Sequence, residues 1–526
     1  MRRTAVLCLL AAVAGCTPRA RGAGDGAAVP AGAAPTADEL RRDLEAFAAD
    51  SFRGRRSGTP DAARAAAFLA ARLAALRVEP AGDSGYFQRV PLVRQGPGPA
   101  ARFEVRGPAG VTTLAMGDAL VPMPTPLGGG PLPAERVADV ELVFVGHGVP
   151  GAGVTQADLD RVEVRGRAAV LVAGAPPGTP HGRRGALEGP AETGRRVQGL
   201  IARGAAAVIV LLTGDVARTV PQLARQYARI AEAGDLSLAP SDSLRTLPML
   251  LLGDAERVSA LLPDGWPSDR RPQVLAGRRF GAELDLTVTA VNVVGVVRGR
   301  DPALRASYVA FGAHYDHIGV LRAAAPGGEG AGATPADSIA NGADDDGSGS
   351  VALLAVARAL QEGPRPRRSA LFVWHVGEEQ GLLGSEYFAA HPAVPLDSVV
   401  AQLNADMIGR NAPDSLYVVG PQAAPKGQSR LLGDLVDSVN AALGPPFLIN
   451  REWDSPNHPE QIYYRSDHYS YARRGVPIVF FTSGLHEDYH RVSDETPKVD
   501  FDKLARVARL LLEVGRAVGE RETRLK

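Results

Sequence analysis

The stretch YVAFGAHYDH, residues 308–317, decides the fold and indicates the kind of site that the fold carries. Its first six residues are apolar or small, as in a strand that is buried on both faces of a sheet. His314 and Asp316 follow at a spacing that lets both side chains point to the same side. We therefore expect a buried strand that ends in side chains able to bind a metal ion.

The same pattern recurs along the chain after residue 286, where apolar strands alternate with helices. The predicted strands cover residues 288–297, 308–313, 370–376, 399–403 and 478–481, and the predicted helices cover 348–360, 383–390, 428–443 and 501–518. This alternation predicts an α/β fold with a mostly parallel mixed sheet between two layers of helices, in a three-layer αβα arrangement. Ligands bind such sheets at the carboxyl ends of the strands.

Five polar motifs lie at those strand ends, and together they hold enough carboxylates and imidazoles for two metal ions. In chain order they are AHYDH at 313–317, GADDDG at 342–347, GEEQG at 377–381, NADMIG at 404–409 and DYH at 488–490. The three adjacent carboxylates of the second motif would repel one another unless a cation or a helix N-terminus compensated them. A metal ion is the stronger explanation, and helix capping by Asp346 or Ser348 is the alternative. The set of motifs predicts a two-metal hydrolase.

The motif set resembles that of the co-catalytic di-zinc exopeptidases, a family typified by bacterial leucyl aminopeptidases that also contains glutamate carboxypeptidases and glutaminyl cyclases. The likeness covers residues 36–110 and 286–520. It implies the zinc-exopeptidase fold and two Zn²⁺ per chain. The implied ligands are Asp345, which bridges both ions, His314 and Asp406 for one ion, and Glu379 and His490 for the other.

The resemblance also implies roles for residues around the ligands. Glu378 would be the general base, Asp316 would orient His314, and a cis peptide bond would follow Asp345. Tyr489 could donate to the developing oxyanion, and Arg465 lies in a segment that lines the substrate cleft in some relatives. The remaining histidines considered have no place in the five-ligand pattern and are expected to be structural or superficial: His317, His375, His391, His458, His468 and His486.

The middle of the chain is predicted to be an inserted α+β domain, residues 116–285, within a peptidase domain formed by residues 36–115 and 286–526. The runs FVGHGV at 144–149 and VRGRAAVLV at 164–172 resemble the protease-associated domain. The alternative is a second lobe of one large α/β domain.

The N-terminus is expected to direct export. Residues 1–16 have the layout of a secretory signal, and their last four residues, VAGC, resemble the lipobox of bacterial lipoproteins. Cys16 would then carry acyl chains that hold the protein to a membrane, at the periplasmic face of the outer membrane, with residues 17–35 as a flexible tether. The alternative is an ordinary cleaved signal in which Cys16 is incidental.

The family resemblance, together with the signal at residues 1–16, implies an exported zinc aminopeptidase that acts on peptides. A formal net charge of zero over 526 residues gives no electrostatic basis for binding nucleic acid. The only cysteines are Cys8 and Cys16, so the metal ligands must be His, Asp and Glu. The alternatives are a glutamate-type carboxypeptidase or dipeptidase, a glutaminyl cyclase, or a catalytically inactive binding protein on the same scaffold.

Overall fold

A computed structural model describes residues 34–117, 119–123, 134–239, 247–321, 333–421, 430–455 and 457–525. Its strands are β1 Glu79–Pro80, β2 Phe87–Arg94, β3 Arg102–Gly107, β4 Gly110–Leu114, β5 Leu120–Pro122, β6 Arg136–Phe144, β7 Ala168–Val172, β8 Ala207–Leu212, β9 Leu236–Leu238, β10 Met249–Asp254, β11 Gln273–Glu283, β12 Thr287–Val297, β13 Tyr308–His314, β14 Gly319–Val320, β15 Ile339–Ala340, β16 Ser369–His375, β17 Val399–Ala405, β18 Ser415–Val419, β19 Leu448–Asn450 and β20 Ile478–Thr482. Its α-helices are α1 Ala37–Phe47, α2 Pro60–Ala75, α3 Gln156–Arg161, α4 His181–Glu188, α5 Pro190–Ala202, α6 Thr219–Ala233, α7 Gly349–Glu362, α8 Leu383–Ala390, α9 Arg430–Leu443, α10 His468–Ala472 and α11 Phe501–Glu520.

The larger sheet has a parallel centre. Its strand order is β19-β18-β20-β17-β13-β16-β12-β2-β9, with β1 paired to β12. The central strands β20, β17, β13 and β16 run parallel to one another, and the outer two pair antiparallel with β18 and β12. The carboxyl ends of the four parallel strands consequently meet at one edge of the sheet.

Helices cover both faces of this sheet because its central strands are apolar at successive positions. Every residue of β13 is buried, and so is every residue of β16 and β17. Phe311 and Phe372 stack at 5.0 Å in a core that also contains side chains of α2, α7 and α11. On the other face, Ala310 and Leu371 share a core with side chains of α8 and α10. The predicted three-layer αβα class is thus confirmed.

A second sheet of eight strands has its own hydrophobic core, in the order β4-β3-β11-β6-β7-β8-β10-β5. The inserted domain was expected to begin at residue 116, but strands β3 and β4 of this sheet precede that residue. They belong to the sheet because β3 pairs with β11 on one side and with β4 on the other. Conversely, β9 lies within residues 116–285 but pairs with β2 of the larger sheet. The smaller sheet therefore starts earlier than expected, while the division into domains and the protease-associated likeness stay predictions.

The expected signal at residues 1–16, and the tether up to residue 33, lie outside the described residues. Among the helices that the structure describes, none combines the length and the apolar character needed to cross a membrane.

Candidate metal centre

The structure brings all five predicted ligands together at the carboxyl edge of the parallel strands. Each ligand follows a different strand or precedes a helix, so its position is fixed by the sheet. They are His314 at the end of β13, Asp345 in the turn Ala343–Ser348 before α7, Glu379 after β16, Asp406 after β17 and His490 in the loop after β20.

Three of these side chains form a first cluster. His314 Nε2 lies 3.2 Å from Asp345 Oδ1 and 3.6 Å from Asp406 Oδ1. All three residues are buried. Ligands of a tetrahedral zinc ion lie about 2.0–2.2 Å from the metal, which places neighbouring ligand atoms roughly 3.3 Å apart. The three side chains therefore have the spacing that one metal ion requires.

The other oxygen of Asp345 faces a second cluster. Asp345 Oδ2 lies 3.4 Å from His490 Nε2, and that nitrogen lies 2.9 Å from Glu379 Oε2. Asp345 thus offers one oxygen to each cluster, as a bridging carboxylate does. The peptide bond after it, Asp345-Asp346, is cis as the resemblance implied.

His317 joins the second cluster, contrary to the expectation that it is structural or superficial. Its Nδ1 lies 2.6 Å from Glu379 Oε1 and 3.8 Å from Asp345 Oδ2. The side chain is fully buried, and with those two carboxylates it forms a second group that could hold a metal ion. The signal in the sequence is its position directly after Asp316, in the first motif.

The charges of the second cluster depend on one another. Burial raises the pKa of Asp345, but the imidazoles of His314 and His490 outweigh burial and hold that pKa well below its ordinary value. Burial and Asp345 raise the pKa of Glu379, and His490 and His317 more than compensate, which lowers it to about 2. Buried carboxylates and imidazoles without sulfur are a ligand set that suits zinc. The residues present therefore fit two metal ions.

Glu378 is placed to transfer protons beside the first cluster. Its carboxylate Oε2 lies 3.9 Å from His314 Nε2, and only 10% of the side chain is exposed. Burial raises the pKa of Glu378 well above that of an ordinary glutamate. A carboxyl group with a raised pKa can both accept and return a proton near neutral pH.

Asp316 orients His314 through its backbone and not through its carboxylate. The ring Nδ1 of His314 is 3.0 Å from the carbonyl oxygen of Asp316 but 3.9 Å from Oδ1 of the carboxylate. The carboxylate Oδ1 instead accepts the N–H groups of Gly377 (2.9 Å) and Glu378 (3.3 Å), while the Ser57 hydroxyl donates to Oδ2. Asp316 therefore contacts both the ring of His314 and the backbone of Glu378.

The three adjacent aspartates have separate partners, which explains how they coexist. Asp346 accepts the N–H groups of His314 and Gly349, so it caps the start of α7 as the alternative interpretation proposed. Asp344 accepts the N–H of Gly409. Asp345 alone faces the two clusters, so helix capping and metal binding coexist in this turn.

Tyr489 and Arg465 line the same cavity as three of the predicted ligands, Asp345, Glu379 and Asp406. Glu378 also lines this cavity, and Arg465 Nη2 donates to the Tyr489 hydroxyl at 3.2 Å. Burial raises the pKa of Tyr489, so its hydroxyl keeps its proton and can donate. Apart from the carboxylates of the clusters and Thr482, the rest of the cavity wall is apolar and consists of Met407, Trp453, Ile462, Phe480 and Leu485.

The other histidines that sequence analysis set aside have contacts elsewhere. His375 lies 3.2 Å from Asp467, His468 contacts the carbonyl of Tyr463, and His391 stacks on Tyr387. His458 lies 3.7 Å from Glu452, and His486 lies 3.3 Å from Asp344. None of these five belongs to a group of described residues that could hold a metal ion.

A three-layer αβα fold with a carboxylate shared between two metal-binding clusters defines the class of co-catalytic zinc exopeptidases. Residues 292–515 match Peptidase family M28.

The chain is similar to the probable leucine aminopeptidase 1 of Trichophyton verrucosum (strain HKI 0517), with 30% identity over 233 residues that cover 42% of this chain and 56% of that protein. It is also similar to the leupeptin-inactivating enzyme 1 of Streptomyces exfoliatus, with 32% identity over 166 residues, 31% of this chain and 34% of that protein. The chain thus spans about half or less of the length of these relatives. Among solved structures, the aminopeptidase from Aneurinibacillus sp. strain AM-1 has a TM-score of 0.44 and 16% identity, over 93% of this chain and 95% of that one.

Proposed function

We propose that this protein is an aminopeptidase that binds two Zn²⁺ and hydrolyses the N-terminal residue from peptides. The observation that carries the proposal is the position of Asp345, which offers one oxygen to each of two clusters beside the carboxylate of Glu378. Two zinc ions bound there would supply Lewis acidity for the scissile carbonyl and would activate a water molecule.

Side chains of the protein would carry out proton transfer and stabilise the oxyanion. Glu378 takes a proton from the attacking water and passes it to the leaving amine, which its raised pKa favours. Tyr489 donates to the oxyanion that develops on the carbonyl, and Arg465 holds the tyrosine hydroxyl in place. The apolar wall of the cavity favours a substrate with an apolar N-terminal side chain, and the names of the leucine aminopeptidases among its relatives support that choice.

The test compares zinc-loaded protein on a free peptide that begins with leucine and on the same peptide with an acetylated N-terminus. We expect cleavage of the free peptide alone. Release of C-terminal glutamate from an N-blocked peptide would instead indicate a glutamate-type carboxypeptidase, and cyclisation of an N-terminal glutamine would indicate a cyclase. Equal cleavage of free and acetylated peptides would contradict the proposal.

Glu378→Gln tests the assigned base. The amide cannot accept a proton, so kcat should fall by about 10²–10⁴-fold. The matched control is Glu386→Gln on α8, because Glu386 pairs with Arg473 and Arg474 away from both clusters, and its kcat should be unchanged. A Glu378→Gln variant with wild-type kcat would show that another group is the base.

The expected export signal and the Cys16 anchor would place this activity in the cell envelope, on the periplasmic face of the outer membrane. That location is a proposal supported by residues 1–16 of the sequence alone.

A further inference from the structure

The second cluster contains one imidazole more than the five-ligand pattern assigns. His317 and His490 approach the same two carboxylates. His317 Nδ1 is 2.6 Å from Glu379 and 3.8 Å from Asp345, and His490 Nε2 is 2.9 Å and 3.4 Å from the same residues. The two rings meet edge to face with centroids 5.8 Å apart. Proximity to these two carboxylates makes His490 a candidate ligand, and it makes His317 one for the same reason.

His317 has different partners from the buried histidines outside the two clusters. His375 lies 3.0 Å from the Tyr471 hydroxyl, and His468 lies 2.8 Å from the carbonyl of Tyr463. For His317, the contacts of Nδ1 are the two carboxylates, and Nε2 has no hydrogen-bond partner among the described residues. A fully buried imidazole that is held only by carboxylates of the cluster is positioned for a metal ion.

We propose that His317 is a fourth protein ligand of the second metal position, an inference that rests on the two-metal function proposed above. The second position then has two imidazoles and two carboxylates, while the first has His314, Asp345 and Asp406 among the residues that the structure describes. Structural zinc sites have four protein ligands, and catalytic zinc sites have three and an open position. The substrate carbonyl therefore enters at the first position, on the side where Glu378 lies.

The distance of 2.6 Å between His317 and Glu379 also suits a hydrogen bond, so His317 has a second possible role. In that role His317 only orients Glu379, and its loss would weaken metal binding about 10–100-fold without direct ligation. Two substitutions separate the roles. His317→Gln keeps an N–H donor but removes the imidazole, and His317→Cys supplies a thiolate that can bind a metal ion.

The direct test uses the full chain loaded with Co²⁺, with bound metal measured by mass spectrometry and the near-ultraviolet absorption recorded. In His317→Cys we expect two Co²⁺ per chain and a thiolate-to-cobalt charge-transfer band. The native cysteines are Cys8 and Cys16, so the wild-type chain gives the background. His458→Cys, a histidine that lies near Glu452 and outside both clusters, is the matched control and should show no such band.

If the cysteine variant does not fold, His317→Gln tests whether His317 binds the metal ion or only orients Glu379. Because glutamine keeps a donor for Glu379, loss of one of the two ions or at least about tenfold weaker binding supports ligation. Wild-type affinity for both ions in His317→Gln would overturn the proposal, and so would His317→Cys with two ions and no band. A wild-type chain that binds two ions but cleaves no peptide would contradict the proposed function alone, and one that binds fewer than two would contradict both.

Discussion

At the scale of single residues, Asp316 supports the site through two separate groups. Its carbonyl oxygen contacts the ring of His314, and its carboxylate accepts the N–H groups of Gly377 and Glu378. We expect Asp316→Ala to lower kcat by about 10–100-fold, because the base loses its position while His314 keeps its partner. Asp316→Asn retains an acceptor for both N–H groups and should stay much closer to the wild-type kcat. Equal losses in the two variants would show that the charge of Asp316, and not its geometry, matters.

The motifs of the sequence were sufficient to assemble the predicted ligands, because each lies next to the end of a strand or the start of a helix, and parallel strands end at one edge. Two features were not predictable in this way. His317 is the last residue of the first motif but lies outside the five-ligand pattern, and only the fold shows that it contacts Glu379. The contact of His314 with a carbonyl, and not with the carboxylate of Asp316, depends on the conformation of the backbone.

At the scale of elements, the segment that precedes α2 holds two loops of the site in place. Arg55 is fully buried and donates to the carbonyls of Tyr315 (2.8 Å), Asn341 (2.6 Å) and Gly342 (2.9 Å). Those carbonyls belong to the loops that carry His314 and Asp345. Burial lowers the pKa of Arg55 to about 10, so it stays charged at neutral pH.

Arg55→Met would leave these buried carbonyls without their donor, at a cost of about 1–3 kcal/mol for each group. We expect the free energy of unfolding to fall by about 3 kcal/mol or more, together with weaker zinc binding, as measured by urea denaturation and metal titration. Arg53→Met is the control, because 56% of that side chain is exposed, and it should change stability by less than about 0.5 kcal/mol. Equal stability of the two variants would show that Arg55 does not hold the loops.

Local patterns predicted the elements around the site well. The helices expected at 348–360 and 501–518 are observed as Gly349–Glu362 and Phe501–Glu520, because their apolar residues and flanking turns are local signals. The start of the smaller sheet was not predictable, since β3 belongs to it through pairing with β11, about 180 residues later in the chain. The local pattern of a strand indicates that it is a strand, but it does not identify a partner so far away in the chain.

At the scale of the whole molecule, the two sheets are connected next to the loop that carries Glu378 and Glu379. The strand β9 is encoded between strands of the smaller sheet, yet it pairs with β2 at the edge of the larger one. Its first residue, Leu236, donates its backbone N–H to Oε1 of Gln380 at 2.7 Å. Gln380 directly follows Glu378 and Glu379, so this hydrogen bond joins β9 to the loop that carries the proposed base and a proposed ligand.

Gln380→Leu removes the oxygen that accepts the backbone N–H of Leu236. Because Leu236 is buried, the unpaired N–H destabilises this part of the fold by about 1–3 kcal/mol. Because β9 and residues 377–381 lose the hydrogen bond that joins them, we expect faster hydrogen exchange in both segments. We also expect kcat to fall by about a few-fold. Gln361→Leu makes the same chemical change near the end of α7, where the amide donates to the carbonyl of Arg77 at the surface, and it should alter neither exchange nor kcat. Faster exchange in residues 377–381 with unchanged exchange in β9 would show that the catalytic loop moves independently of the strand. Faster exchange in both segments with an unchanged kcat would show that the hydrogen bond between Leu236 and Gln380 stabilises the fold without positioning Glu378.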